Sequence, residues 1–316
     1  MTNSRKRLAF IGTPELSVPF MKNLYSSGYD IGVVVTGEDL RRGRGEEPSP
    51  SPVKRAAVEM GISVIHKIED IENYEIDFAV VVAYGSFIPI GLLKKVPMIN
   101  VHFSLLPRWR GPAPIERAIL AGDTRSGVCV MEIGEEFDIG GVFTRQEVEI
   151  LARDTTETLR ERLIEAGCKL LVSTLDDGLG EPIPQTGEIV WAEKVTPQER
   201  EIDWRIEAEK IDRLVRIGGA WTTLAGKRIK IWEAESNVQE IQGSPGQLVG
   251  DQVITGKGAL RLVEVQSQNR ARQAFESWKL GARLEENNVL GDDLKQRGTC
   301  SSRKSAWSDR KRFSIR

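Results

Sequence analysis

The chain has 316 residues, with 44 Lys and Arg against 46 Asp and Glu and a formal net charge of −2, so it is not a uniform polycation. A hydrophobic share of 40% and a charged share of 28% belong to an ordinary globular protein, long enough for two domains. No run of about 20 apolar residues exists, which excludes a transmembrane helix; three scattered cysteines without a CxxC pair exclude a disulfide scaffold, and two histidines leave no zinc spacing.

Charge is divided unevenly. Residues 205–316 carry 21 Lys and Arg against 14 Asp and Glu, and the first 204 residues hold the acidic excess. A basic second half points to a polyanionic partner. The N-terminus has basic residues followed by an apolar run too short for a signal peptide, so the chain reads as cytoplasmic.

Residues 7–11 read as a buried first strand, followed by a tight turn and a helix to about residue 26. Thr13 is the expected N-cap of that helix, with Pro14 at its first position. The turn has neither GxGxxG nor a Walker A lysine, which argues against dinucleotide or ATP binding. Residues 31–36 (IGVVVT) and 77–83 (DFAVVVA) are continuous apolar runs, as expected of strands covered on both faces. Between them lie a polar loop over 37–52, a helix over 53–60 and a short strand over 63–66. Arg41, Arg42 and Arg44 in that loop could clamp a phosphate backbone, whereas Glu46 and Glu47 favour a plain solvated loop.

Residues 98–102 (MINVH) form a further strand that breaks into a loop punctuated by Pro107, Gly111, Pro112 and Pro114. Asn100 and His102 are two apart, so they share one face of the strand near its carboxyl end. Open α/β sheets place their ligands at that edge, and a neutral imidazole is a natural general base near pH 7. Strands over 127–133 and 142–150 flank the turn Gly134-Glu135-Glu136-Phe137-Asp138-Ile139-Gly140-Gly141. Turn chemistry alone accounts for an acidic residue there. If the fold brings the turn to His102, Asp138 is the leading carboxylate partner, with Glu135 and Glu136 as competitors.

A long amphipathic helix over 154–175 follows, with Asp154 as the expected N-cap and Glu157 completing a capping box. Residues 178–204 are aperiodic and read as an inter-domain linker. After one helix over 206–217, short strands over 228–232, 246–249, 252–255 and 259–265 with glycine turns point to a small β-barrel. The polar tail over 295–316 reads as disordered.

The run NVHFSLLPRWRGPAPI at 100–115 resembles the central motif of the 10-formyltetrahydrofolate-dependent formyltransferases. FIGTPELS at 10–17, SPSPVK at 49–54, VVVAYGSFIP at 80–89, IDW at 202–204 and PG at 245–246 follow in family order. The resemblance implies a Rossmann-like α/β catalytic domain over 1–188, a linker over 189–204 and an OB-like barrel over 205–316 that binds tRNA. It implies Asn100, His102 and Asp138 as catalytic residues, and folate contacts at Tyr84, Gly85, Ser104, Leu105, Leu106 and Pro107. It places tRNA contacts on Arg41, Arg42 and Arg44; Lys227, Arg228 and Lys230 on the barrel strands would add to them. The expected co-substrate is 10-formyltetrahydrofolate, without a metal. The expected acceptor is initiator methionyl-tRNA, with the enzyme a monomer away from membranes. The chain departs from the family pattern at Ile139, where Thr is usual, and at Gly218-Gly219, where a proline-rich segment is usual.

Two other readings stay open on the residues alone. The same Asn-His-Asp set would serve an amino sugar or water as acceptor, and a scaffold that only binds nucleic acid would need no such set.

Overall fold

The computed structural model describes residues 6–41, 47–237, 241–282 and 288–291. The chain divides into two compact units, Met1–Thr196 and Pro197–Arg316.

The first unit opens with β1 (Leu8–Gly12), α1 (Val18–Ser26), β2 (Ile31–Val35), α2 (Pro52–Glu59), β3 (Val64–Ile65) and β4 (Phe78–Val82). Then come α3 (Ile90–Leu93), β5 (Met98–His102), β6 (Arg108–Arg110), α4 (Pro114–Ala121) and β7 (Arg125–Glu132). β8 (Val142–Glu149), α5 (Thr156–Asp177) and β9 (Val190–Trp191) complete it. Seven strands form one sheet in the order β3-β2-β1-β4-β5-β7-β8. β1 to β5 pair in parallel, whereas β7 and β8 run antiparallel at one edge. The order reverses at β1 and β4, the kind of switch point that opens a crevice beyond the strands' carboxyl ends.

The apolar runs become strands because helices cover both faces of the sheet. β1 and β4 are buried along their whole length. Ala9, Ile11, Val33, Val35, Ala79, Val81 and Met98 build the core on one face with Ile71 and Leu92. Alternation sends Leu8 and Phe10 to the other face. There α1 and α5 approach each other closely: a Cβ on Gly167 would lie 3.0 Å from the Phe20 ring. Phe20 meets Phe103, the residue after β5, edge to face with centroids 5.9 Å apart.

The helix starts differ from the sequence expectation. Thr13 does not cap a helix; its hydroxyl accepts from the Gly37 amide at 3.2 Å, tying the ends of β1 and β2 together. A single 3-10 turn, Glu15–Ser17, intervenes before α1. Thr155, not Asp154, caps α5, in a reciprocal pair with Thr158. Asp154 is buried and instead accepts from the Leu151 amide and from Arg162. Residues 189–204 are not a linker throughout. β9 pairs in parallel with β6, and Ala192 exchanges backbone hydrogen bonds with Arg110 and Ala113, because the loop after β5 leaves unpaired backbone that needs partners.

The second unit holds α6 (Ala208–Arg216), β10 (Ala220–Leu224), β11 (Lys227–Asn237), β12 (Leu248–Val249), β13 (Gln252–Ile254), β14 (Ala259–Ser267), β15 (Gln273–Ala274) and α7 (Phe275–Ala282). Its strands pair antiparallel in the order β10-β11-β14-β13-β12, with β15 on β14. Among the described residues no pairing joins β10 to β12, so strand hydrogen bonds do not close this sheet into a barrel. Ile229 and Ile231 face inward, and the Trp204 indole donates to the buried Thr222 hydroxyl at 2.9 Å.

Gly127 on β7 lies where a side chain would run into the Gln146 carbonyl oxygen and the Leu105 side chain. Gly127→Ala should cost about 1–3 kcal/mol and lower the midpoint of thermal unfolding by roughly 2–12 °C, read by near-UV circular dichroism. An unchanged midpoint would refute this close approach.

Candidate active site

β5 ends at His102, and the chain then folds back under itself. The Ser104 hydroxyl donates to the Arg108 carbonyl at 2.7 Å. Arg108 reaches Asp123 through Nε and Nη2 at 2.9 and 2.7 Å, and the Trp109 indole donates to the same carboxylate at 2.7 Å. Trp109 sits at φ +65°, a left-handed conformation uncommon for a bulky residue. Held so, it turns its carbonyl to His102 Nε2, 2.9 Å away.

Asp138 arrives on the loop between β7 and β8. Its Oδ1 lies 3.5 Å from His102 Nδ1, and its Oδ2 accepts from the Gly111 amide at 2.9 Å. His102 is 6% exposed, so the pair is screened little by water. Both ring nitrogens therefore face acceptors. A neutral imidazole has one N–H and serves one acceptor at a time; the protonated ring serves both.

Asn100 is half-buried two residues earlier on β5. Its side-chain amide has no hydrogen-bond partner among the described residues, so its donors are open to a bound molecule. Of the three acidic residues on this loop, Asp138 is the carboxylate that reaches His102.

Tyr84 and Gly85 follow β4, the parallel neighbour of β5. Burial, with Glu69 adding to it, pushes the Tyr84 phenol up from its ordinary range. Gly85 needs to be glycine for its φ of +76°, since space around it is open. In the segment Ser104 to Pro107 the side chains turn inward. Ser104 is fully buried, and Leu106 packs with Cys129 and Met131. A ligand would meet this segment mainly through its backbone.

Arg41 is exposed, whereas Arg42 and Arg44 lie outside the described residues, as does the tail over 292–316. That tail carries eight Lys and Arg against three Asp and Glu, five of the seven excess positive charges of the second half. Lys227, Arg228 and Lys230 are exposed on β11. The Arg228 guanidinium stacks 3.7 Å from the Trp221 ring, and Arg272 lies 3.4 Å from Trp232, with Lys230 at 5.4 Å. These cation–π contacts hold the charges on one face of β10 and β11. Arg272 and the two indoles were not singled out in the sequence, because only the register of β10, β11 and β14 brings them together.

Formyl transferase describes the family model that matches residues 6–175, and its C-terminal domain the model that matches residues 194–283. The chain belongs to the formyl transferase family. The methionyl-tRNA formyltransferase of Roseobacter denitrificans is 37% identical over 303 residues, 90% of this formyl transferase and 98% of that protein. Among solved structures, HypX from Aquifex aeolicus in complex with tetrahydrofolic acid aligns with a TM-score of 0.62 at 19% identity, over 87% of this chain. This formyl transferase spans 47% of that HypX chain. Methionyl-tRNA formyltransferase from Clostridium thermocellum aligns with a TM-score of 0.52 at 14% identity, over 73% of this chain and 94% of that one. At such identities the two structures speak for the fold alone. Among the described residues, no three His, Cys, Asp or Glu side chains converge as a metal set, and no helix is long and apolar enough to cross a membrane.

Cys129, beside His102 in the β5–β7 register, is fully buried. Burial pushes its thiol up to about 11 and that of Cys168 to about 12. Thiolate forms only as pH rises through such values, so both thiols, Cys168 partly buried among them, are expected to react slowly at pH 8. In a Cys300→Ser variant, Ellman's reagent at pH 8 should find no thiol in the native protein and two after unfolding. A native thiol reacting within minutes would contradict this burial.

Proposed function

We propose that this formyl transferase moves the formyl group of 10-formyltetrahydrofolate onto the α-amine of methionyl initiator tRNA, in the cytoplasm and as a monomer. The observation that carries this reading is the 37% identity to a methionyl-tRNA formyltransferase across 98% of that protein, both units included. Residues 1–188 supply the chemistry in this reading. Residues 205–316, an OB-like domain, bind the tRNA, and 189–204 join the two.

The reaction forms a bond from the amine nitrogen to the formyl carbon and breaks the bond from that carbon to N10 of the folate. The amine must lose a proton, and N10 must gain one as it leaves. His102 takes the first proton at Nε2, exchanging its contact with the Trp109 carbonyl for one with the amine, and returns it to the leaving nitrogen. Once protonated, its ring has an acceptor ready at each nitrogen, Asp138 at 3.5 Å and the Trp109 carbonyl at 2.9 Å. Asp138 thus orients the imidazole and offsets its charge, as the carboxylate of a hydrolase triad does. The tetrahedral intermediate puts negative charge on the formyl oxygen, and the open Asn100 amide donates to it. Tyr84, Gly85 and the backbone of Ser104 to Pro107 border the folate, with Leu105 and Leu106 as the floor.

The tRNA binds through Lys and Arg that release condensed counterions from its phosphates. Lys227, Arg228 and Lys230 serve this role on β11, and Arg41, Arg42 and Arg44 approach the acceptor end. Because Arg228 is stacked on Trp221, its charge is held outward at little entropic cost.

Formylation of methionyl-tRNA by the purified protein tests the reading. His102→Ala should lower kcat by roughly 10²–10⁴-fold. Asn100→Ala should lower it by about 10²–10³-fold, equivalent to about 2.7–4 kcal/mol of barrier. No turnover by the wild-type protein, or unchanged turnover in His102→Ala, overturns the assignment.

The surface assignment has its own check. Arg228→Ala with Lys230→Ala should raise the KM for tRNA and reduce the slope of log KM against log salt by roughly one to two. The KM for the folate should stay unchanged. An unaltered salt slope would remove this face from the tRNA interface.

A further inference from the structure

We infer that Gln185 is a positioning residue for the formyl transfer, locking the Asp138 loop against the buried Arg110. This rests on the reading of His102 and Asp138 given above. Its starting point is a problem of reach. β7 runs antiparallel to β5, so its last residue, Glu132, pairs with Ile99, three residues before His102. The loop leaving β7 must therefore double back by about 10 Å, at about 3.3 Å per residue, to bring Asp138 to the histidine. Asp138 itself takes a left-handed φ of +54°, uncommon outside glycine although Asp adopts it more readily than most side chains. Nothing in the local sequence of the loop compels this path.

Gln185 supplies the restraint. Its Nε2 donates to two loop carbonyls at once, those of Asp138 and Gly140, both at 2.8 Å. Its Oε1 accepts from Arg110 Nε at 2.9 Å and Nη2 at 2.8 Å. Arg110 is 7% exposed and is fixed within β6. Consecutive residues of this strand and its end serve the site in turn. The Trp109 carbonyl faces His102, the Arg110 side chain grips Gln185, and the Gly111 amide donates to Asp138. Gln185 is held in place by the backbone pair of Val142 and Ile183, which exchange hydrogen bonds at 2.8 and 2.9 Å. Gly140 allows the close approach: a side chain there would strike the Glu132 carbonyl oxygen.

The choice of an amide is informative. If the role were only to satisfy a buried guanidinium, a carboxylate would do it better, by a charged bidentate pair. A carboxylate, however, has no hydrogen to donate and would set its oxygens against the two loop carbonyls. An amide alone both accepts from Arg110 and donates to the loop. Gln185 is thus matched to holding the loop.

The decisive variant is Gln185→Glu, which keeps the partner of Arg110 and removes the donor to the loop. It should lower kcat by roughly 10- to 100-fold. The KM values for 10-formyltetrahydrofolate and methionyl-tRNA should stay within about threefold, because binding surfaces are untouched. In an Asp138→Asn background the same change should cost less than about threefold more, since Gln185 acts through Asp138. Gln185→Met, which removes both functions, should match Gln185→Glu in kcat and fall below it in thermal midpoint. Activity of Gln185→Glu within threefold of wild type, or losses that multiply in the double variant, would overturn the inference. Failure of both single variants to fold would equally overturn it, in favour of a structural role. A wild-type protein that does not formylate methionyl-tRNA would instead sink the functional reading on which the inference rests.

Discussion

The contact between His102 and Asp138 joins two groups that the sheet would otherwise keep apart. His102 stands at the carboxyl end of a parallel strand, the edge where such sheets meet their ligands. Asp138 leaves from the far end of an antiparallel neighbour. Much of the local structure is the cost of closing that gap: the left-handed Trp109 and Asp138, the glycine at 140, and the pairing of β6 with β9. Each is unfavourable or weak alone. Together they over-determine one geometry, which is how strained backbone persists at a functional site.

Two kinds of rigidity meet there. The parallel strands are fixed by burial on both faces, so Asn100 and His102 need no special support. The loops on either side lack a core of their own and are fixed by polar contacts. The Asp123 carboxylate takes three donors from Arg108 and Trp109, and Gln185 makes four hydrogen bonds. A network of that kind is worth having only when every member is satisfied, and this one is.

The strands of the first unit were legible because a doubly covered parallel strand is an unbroken apolar word such as FAVVV or IGVVV. Asn100 and His102 were legible from the period of two. Asp138 was only a candidate, since nothing local separates a turn aspartate from a catalytic one, and it was the longer motif that favoured it. Gln185 was invisible: it lies in an aperiodic stretch rich in Gly, Pro and Thr, and its partners are 45 to 75 residues away. The caps failed for a simpler reason. Asp154 and Thr155 are both good N-caps, and the choice between them turned on Arg162, which draws the aspartate away. In the second unit the short strands were legible from their glycine turns, but the pairing of indoles with guanidiniums was not. It depends on cross-strand register, which a single sequence does not display.

The pairing of β6 with β9 also bears on where the catalytic module ends. Counted by its helices and its large sheet, the first unit is complete at Asp177, the end of α5, and the family match stops at residue 175. A fragment cut there would retain Asn100, His102 and Asp138 in full. It would lose Ile183, Gln185 and the Val190–Trp191 strand, and with them every backbone partner of β6 from outside its own loop. Such a fragment would keep its large sheet and lose the strand that pairs with β6. The compact unit therefore extends past the last element of its large sheet, to the crossing strand that pairs with β6.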